Sequence, residues 1–173
     1  MYKIAIIGPE SSGKTTLAKI IEKNYDALYV KEFARTYLSK LKNPSEYSLQ
    51  DLDNIAIEQF NSYKQAGETN PQLLVCDTEI LTIKIWSEDK FKRSTRLIED
   101  LFYKQNFDLY LLCKPDIPWV ADPLREDEHR RNIIYTLYKN YCDEKNLHFT
   151  IVQGDMATRV IIIDEILKLL NFN

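Results

Sequence analysis

A chain of 173 residues with 45% apolar and 28% charged side chains is the size and composition of one globular unit; two comfortable domains, and disorder, are excluded. The formal net charge of −3 argues against a protein that coats nucleic acid, and no apolar run is long enough to cross a bilayer. Cys76, Cys113 and Cys142 are odd in number and lack a CxxC spacing, so neither a disulfide framework nor a zinc site is expected; a reducing, cytoplasmic setting is.

In chain order, short apolar runs mark strands at Lys3–Ile7, Leu28–Lys31, Leu73–Cys76, Asp108–Cys113 and His148–Val152. Their near-continuous hydrophobicity suits a sheet covered on both faces. The chain starts on a strand pattern, not on a signal peptide. Helical stripes fall between the runs: Leu17, Ile20 and Ile21; Leu52, Ile55, Ala56 and Phe60; Leu97, Ile98, Leu101 and Phe102; Ile133, Ile134, Leu137, Tyr138 and Tyr141; and Val160, Ile163, Ile166, Leu167 and Leu170. Ser48-Leu49-Gln50-Asp51 reads as a capping box opening the second of these helices. Strands alternating with helices predict an α/β, three-layer arrangement with a five-stranded, mostly parallel sheet over residues 1–173.

The strongest motif is Gly8-Pro9-Glu10-Ser11-Ser12-Gly13-Lys14-Thr15, which fits G-x-x-x-x-G-K-[ST] between a strand and a helix. Glycines let the backbone wrap close to phosphate oxygens, and successive amides at a helix N-terminus face the anion. ATP is therefore expected on Gly8 and Glu10–Thr16, with Ser11, Ser12 and Gly13 supplying amides and Lys14 reaching the β- and γ-phosphates. Thr15 is expected to hold Mg²⁺ together with Asp77, at the end of a strand; the bland alternative makes Asp77 or Thr78 a helix cap. Glu79 is either a second acidic ligand or a solvated first-turn residue.

Glu32 follows the second strand, with Arg35 three residues on. Strand ends are where open α/β sheets bind ligands, so Glu32 could orient or deprotonate a hydroxyl and Arg35 could bind phosphate; an i, i+3 surface ion pair is the equal alternative. Residues 115–131 carry three prolines and then Arg125, Arg130 and Arg131, the makings of a lid whose arginines clamp a triphosphate; a solvated helix start with alternating charges, which Glu126, Asp127 and Glu128 support, is the alternative. Trp86 and Trp119 could stack on a ring or be core or rim residues, Tyr37 is a weaker substrate-side candidate, and Gly154 could let a base lie near the backbone or be a plain turn. Cys113-Lys114-Pro115-Asp116 sits where a guanine signature would, but lacks its asparagine and reads as a decoy.

The phosphate loop, Glu32-Phe33-Ala34-Arg35, Asp77-Thr78-Glu79 with Trp86 downstream, and Pro118-Trp119-Val120-Ala121-Asp122-Pro123-Leu124-Arg125 together resemble the ribosylnicotinamide kinase domain of NadR-like proteins. The resemblance runs from residue 3 to about 160. It implies a nucleoside/nucleotide-kinase-like P-loop fold and ATP-dependent phosphorylation of nicotinamide riboside on its 5′-hydroxyl, with Lys14, Asp77, Glu32 and Arg125 catalytic. Arg130, Arg131 and Gly154 would attend ATP; Glu32, Arg35, Tyr37, Asp77, Trp86 and Trp119 would attend the nucleoside. The family pattern has D-T-D where this chain has Asp77-Thr78-Glu79, which lengthens the second carboxylate. The partners implied are a nucleoside and ATP, not nucleic acid or membrane. Another nucleoside or nucleotide kinase, or an ATPase switch, is the alternative.

Overall fold

The computed structural model describes residues 1–172. Five strands, β1 (Tyr2–Ile7), β2 (Leu28–Val30), β3 (Leu73–Asp77), β4 (Leu109–Cys113) and β5 (Phe149–Val152), form one sheet in the order β2-β3-β1-β4-β5. Every pairing is parallel, so the expected "mostly parallel" sheet is wholly so. Parallel neighbours need crossovers, and six α-helices supply them: α1 (Lys14–Tyr25), α2 (Phe33–Leu38), α3 (Leu49–Glu68), α4 (Ile80–Phe91), α5 (Arg96–Lys104) and α6 (Arg131–Glu144); α7 (Met156–Leu169) follows β5.

Side chains alternate across each strand, and the sheet has a core on each face. Ile4 and Ile6 point to the side covered by α1 and α7, where Leu17, Ile21, Ile163 and Leu167 meet Val75 and Leu111. Ala5 and Ile7 point to the other side, where α3 to α6 contribute Leu52, Ile55, Ile80, Ile98, Phe102 and Tyr138. This is the three-layer arrangement read from the strand and helix patterns. None of the helices among the described residues is long and apolar enough to cross a membrane.

Local chemistry fixes the element ends. At α3 the Ser48 hydroxyl accepts from Asp51 N at 3.2 Å while Asp51 Oδ2 accepts from Ser48 N at 2.8 Å, the capping box expected there. Two helices lie outside the five expected stripes. α2 has six residues, too few to show a stripe. In α4 the residues Ile80 to Ile85 are all buried, so no polar face marks the period. The buried face of α6 is Ile134, Tyr138 and Cys142, whereas Ile133 is 56% and Leu137 37% exposed, which corrects two members of the expected stripe.

Candidate active site

The phosphate loop connects the buried end of β1 to α1, and its backbone is shaped by residues in the left-handed region: Gly8 at φ 135°, Ser11 at φ 51° and Gly13 at φ 83°. A Cβ on Gly8 would lie 2.6 Å from the Cys113 carbonyl oxygen, so β4 leaves room only for glycine there. The Ser12 hydroxyl donates to Pro9 O at 2.7 Å and tightens the turn. Lys14 curls over the loop, its Nζ donating to Gly8 O at 2.9 Å and Pro9 O at 2.8 Å.

Asp77 ends β3, which lies directly beside β1, with Ile6 opposite Asp77. This adjacency brings Thr15 Oγ1 to 2.5 Å from Asp77 Oδ2, and the Tyr29 hydroxyl donates to the same oxygen at 3.2 Å. Burial, then the Asp77 carboxylate, push the Tyr29 hydroxyl well above its usual range, so it stays a neutral donor. Asp77 Oδ1 is buried without a hydrogen-bond partner. An unpartnered carboxylate oxygen beside a threonine hydroxyl is a hard-oxygen pair suited to Mg²⁺. No group of three or more His, Cys, Asp or Glu side chains among the described residues could hold a metal by itself. The ion would then lean on Thr15, Asp77, nucleotide phosphates and water, which is how magnesium is usually held.

Glu79 has neither expected role. It is the N-cap of α4, its Oε2 accepting from Leu81 N at 2.7 Å and from Gln105 Nε2. That also replaces Asp77 or Thr78 as the expected cap and leaves Asp77 turned to Thr15. Burial pushes the Glu79 carboxyl up to about 7.

A cleft opens above the loop, lined by residues 10–16 on one wall and by Glu32, Ala34, Arg35, Leu38, Trp86, Leu124 and Arg125 on the other. It encloses about 640 Å³, its open mouth included, within the range of small-molecule sites. Burial, with Asp77 nearby, pushes the Glu32 carboxyl up to about 7 against the opposing pull of Lys14. Arg35 reaches Glu32 at 3.7 Å and Asp122 at 2.9 Å, so the i, i+3 pair exists but inside the cleft.

Residues 115–130 strap down across this site. Glu10 Oε2 accepts from Glu126 N at 2.8 Å and Asp127 N at 3.1 Å. Ser11 Oγ accepts from Val120 N at 2.9 Å. Arg125 lines the cleft and donates to Val120 O. Arg131 instead grips the loop from behind, donating to Ser11 O at 3.2 Å and Ile117 O at 3.0 Å. Arg130 points away, to Asp89 at 2.7 Å and Asp127 at 3.0 Å. Trp119 lies between Arg125 and Arg131, each guanidinium under 6 Å from its ring centre, and outside the cleft lining. Tyr37 is drawn onto α3, donating to Asp51 at 2.8 Å, and also lies outside the lining. Gly154, at φ 90°, donates its N–H to Asp116 Oδ2 at 2.8 Å, so the decoy aspartate is engaged within the fold.

Asp122 stands in the Pro118–Arg125 segment without an expected role, and Tyr29 and Arg159 were not expected at all. The partners of Asp122 and Tyr29 are 87 and 48 residues away, so nothing local reveals what they do. Arg159 did carry a local signal: it stands four residues before Ile163 and eight before Leu167, on the buried stripe of α7.

The parallel sheet, the phosphate loop opening α1 and the carboxylate at the end of the neighbouring strand define a P-loop protein of the nucleoside/nucleotide kinase fold. Residues 3–159 match the AAA domain family, and the chain belongs to it. It is 28% identical over 170 residues to the trifunctional NAD biosynthesis/regulator protein NadR of Salmonella typhimurium, covering 95% of this chain and 42% of that protein. It is 36% identical over 91 residues to a cytidylate kinase of Streptococcus uberis, covering 50% and 40% of the two chains. A crystal structure of NadR in complex with NAD and AMP-PNP shares the fold with a TM-score of 0.80 at 18% identity, over 99% of this chain and 50% of that one. A deoxyadenosine kinase from M. mycoides with bound products gives 0.67 at 17% identity, over 96% and 98%. The chain spans about two fifths of the length of the curated relatives it matches. The likeness to NadR-like proteins implied by the motifs therefore extends over nearly the whole chain.

Proposed function

We propose that the chain is an ATP-dependent kinase that phosphorylates nicotinamide riboside on its 5′-hydroxyl, giving nicotinamide mononucleotide for NAD biosynthesis. The observation that carries this reading is the facing of two chemistries across one cleft: phosphate loop, Thr15 and Asp77 on one side, Glu32, Arg35 and Trp86 on the other. The similarity to NadR over 95% of the chain supports the acceptor.

In this reading the polyphosphate of ATP lies in the loop of residues 10–16. Lys14 Nζ exchanges the carbonyls of Gly8 and Pro9 for β- and γ-phosphate oxygens. Thr15 and Asp77 would hold Mg²⁺, which supplies charge neutralisation at those oxygens. Glu32 accepts the proton of the acceptor hydroxyl as its oxygen bonds to the γ-phosphorus and the bond to ADP breaks. A carboxyl near 7 is matched to that task at neutral pH, whereas Asp77 is committed to Thr15 and Tyr29. Arg125 closes over the transferring group from the strap. Trp86 lines the cleft, and its ring would attract the cationic pyridinium, which an aliphatic wall would not.

The local identity to cytidylate kinase favours a second reading, a nucleotide acceptor. Its phosphate would face Glu32 and would have to compete with Glu32 and Asp122 for Arg35, which disfavours it. The deciding experiment follows ADP release and product mass with Mg·ATP and nicotinamide riboside, adenosine, uridine, thymidine, cytidine or CMP. Nicotinamide riboside is expected to give the highest kcat/KM. Preferred turnover of CMP or another acceptor, or ATP hydrolysis that none of them stimulates, overturns the assignment.

A further inference from the structure

Arg159 is wholly buried and is the largest fully buried side chain among the described residues. Its guanidinium joins four separate pieces of backbone and side chain. Nε donates to Gly154 O at 2.8 Å, at the turn after β5. Nη2 donates to Lys114 O at 2.8 Å, after β4, and to the Asp116 carboxylate. Nη1 donates to Ser12 O at 2.6 Å, in the phosphate loop 147 residues earlier. Asp116 in turn accepts from Gly154 N, closing the network.

The bond to Ser12 O has a directional consequence. A trans peptide is planar, and its C=O and N–H point in opposite directions. Arg159 holds the carbonyl of the Ser12–Gly13 peptide, so the Gly13 N–H points the opposite way, away from the guanidinium. The rear of Gly13 is closed as well: a Cβ there would meet Ile117, Met156 and Arg159 within 3.6 Å.

We propose that Arg159 is a positioning residue for triphosphate binding: it fixes the Ser12–Gly13 peptide plane with the Gly13 amide aimed at phosphate, and couples that peptide to the Lys114–Asp116 and Gly154 turns. The proposal rests on the phosphate-site reading above. Arg159 touches no reacting atom. Removing it lets the peptide plane turn over and weakens the nucleotide, while the Glu32–Trp86 side of the cleft keeps its affinity for the acceptor. Lysine cannot restore the function, since one ammonium cannot bond four acceptors held in the plane of a guanidinium.

The test uses the low glycine content. The chain has Gly8, Gly13, Gly67 and Gly154 and no other glycine. Protein labelled with ¹⁵N-glycine therefore gives four amide signals, of which Gly67, on α3, is an internal control. Wild type, Arg159→Lys, Arg159→Met and Asp116→Asn are titrated with Mg·ATP, and with nicotinamide riboside separately. In the wild type, Mg·ATP is expected to shift Gly13 and leave Gly67 in place. In both Arg159 variants the Gly13 shift is expected to fall below half, and Kd for Mg·ATP to rise by about tenfold or more, the scale of a lost charged hydrogen bond. Affinity for nicotinamide riboside is expected to stay within about twofold of wild type, a split that general loss of packing would not produce. Asp116→Asn weakens one arm of the network and is expected to raise the Mg·ATP Kd by about threefold. If Arg159→Met does not fold, the lysine and Asp116 variants decide. Folded Arg159→Lys that binds Mg·ATP as wild type does, with a full Gly13 shift, overturns the proposal, as does an unchanged Kd in Asp116→Asn when neither Arg159 variant folds. Wild type that fails to bind Mg·ATP at all sinks the phosphate-site reading instead, so the two failures are distinguishable.

Discussion

Lys14 makes its hydrogen bonds to two loop carbonyls and none to the core, so its removal should cost activity far more than stability. Lys14→Ala is expected to lower kcat by about 10³-fold or more, given that charge stabilisation dominates phosphoryl transfer, with a melting temperature close to wild type. Steady-state kinetics beside a thermal melt checks both halves. Glu32 gives a pH prediction. Its carboxyl is held near 7 and must be ionised to accept a proton, so kcat/KM should rise with pH through an inflection near 7. Glu32→Gln should lower kcat by about 10²-fold or more and remove that inflection. An unchanged inflection in the variant assigns it to another group. Glu79 gives a stability prediction of the same sign logic without chemistry. Its folded value of about 7 lies above the ordinary 4.5, so the unfolded chain loses the proton first. The contribution to stability is present below about 4.5 and is lost as pH rises through 7. Glu79→Gln keeps the acceptor for Leu81 N and cannot ionise. It should be more stable than wild type at pH 8, by at most about 3 kcal/mol, and no more stable at pH 4. Paired melts at the two pH values measure it.

At the scale of elements, the strap of residues 115–130 is held mainly by hydrogen bonds, with Leu124 as its packing contact with the core. Its anchors are Glu10 under two backbone amides, Ser11 under Val120 and Arg35 against Asp122. Glu10→Ala strands both amides and should raise tryptic cleavage after Arg125 by about fivefold to tenfold, because cleavage follows the population of the opened form. Mg·ATP should slow that cleavage in wild type; a digest time course by mass spectrometry reads both. The strap also shows where the sequence was legible and where it was not. Strands announce themselves by unbroken apolar runs, and all five lie within a residue or two of where those runs place them. α3 announces itself by its cap. α4 does not, since a helix buried all round has no period to detect. The phosphate loop, Thr15 and Asp77 were legible because a fixed spacing and a strand end carry them. The partners of Glu10 were not, because they lie 116 and 117 residues away and are backbone amides, which no residue type reveals. The same holds for Arg130 and Arg131: adjacent in sequence, they face opposite ways, and only the helix start at Arg131 decides which one reaches the loop.

For the molecule as a whole, parallel strand direction gathers the site at one edge of the sheet. The phosphate loop follows β1, Glu32 follows β2, Asp77 ends β3, the strap follows β4 and the Gly154 turn follows β5. Five segments distant in sequence thus meet at the carboxyl ends of five neighbouring strands, the place where open α/β sheets bind ligands. A ligand there adds contacts to segments already tied together by Glu10, Arg35 and Arg159, so binding should stabilise the native chain as a unit. With one nucleotide site filled at about 100 times its Kd, the gain is about 2.7 kcal/mol. For a chain of this size that raises the melting temperature by roughly 5–10 °C. Mg·AMP-PNP should produce this shift in wild type and little of it in Lys14→Ala. Nicotinamide riboside added with the analogue should raise the transition further, because the strap closes over both walls of one cleft; added alone it should do less. A melt in which the two ligands together give no more than the analogue alone would place the acceptor outside the cleft, and would separate Glu32 and Trp86 from the chemistry assigned to them.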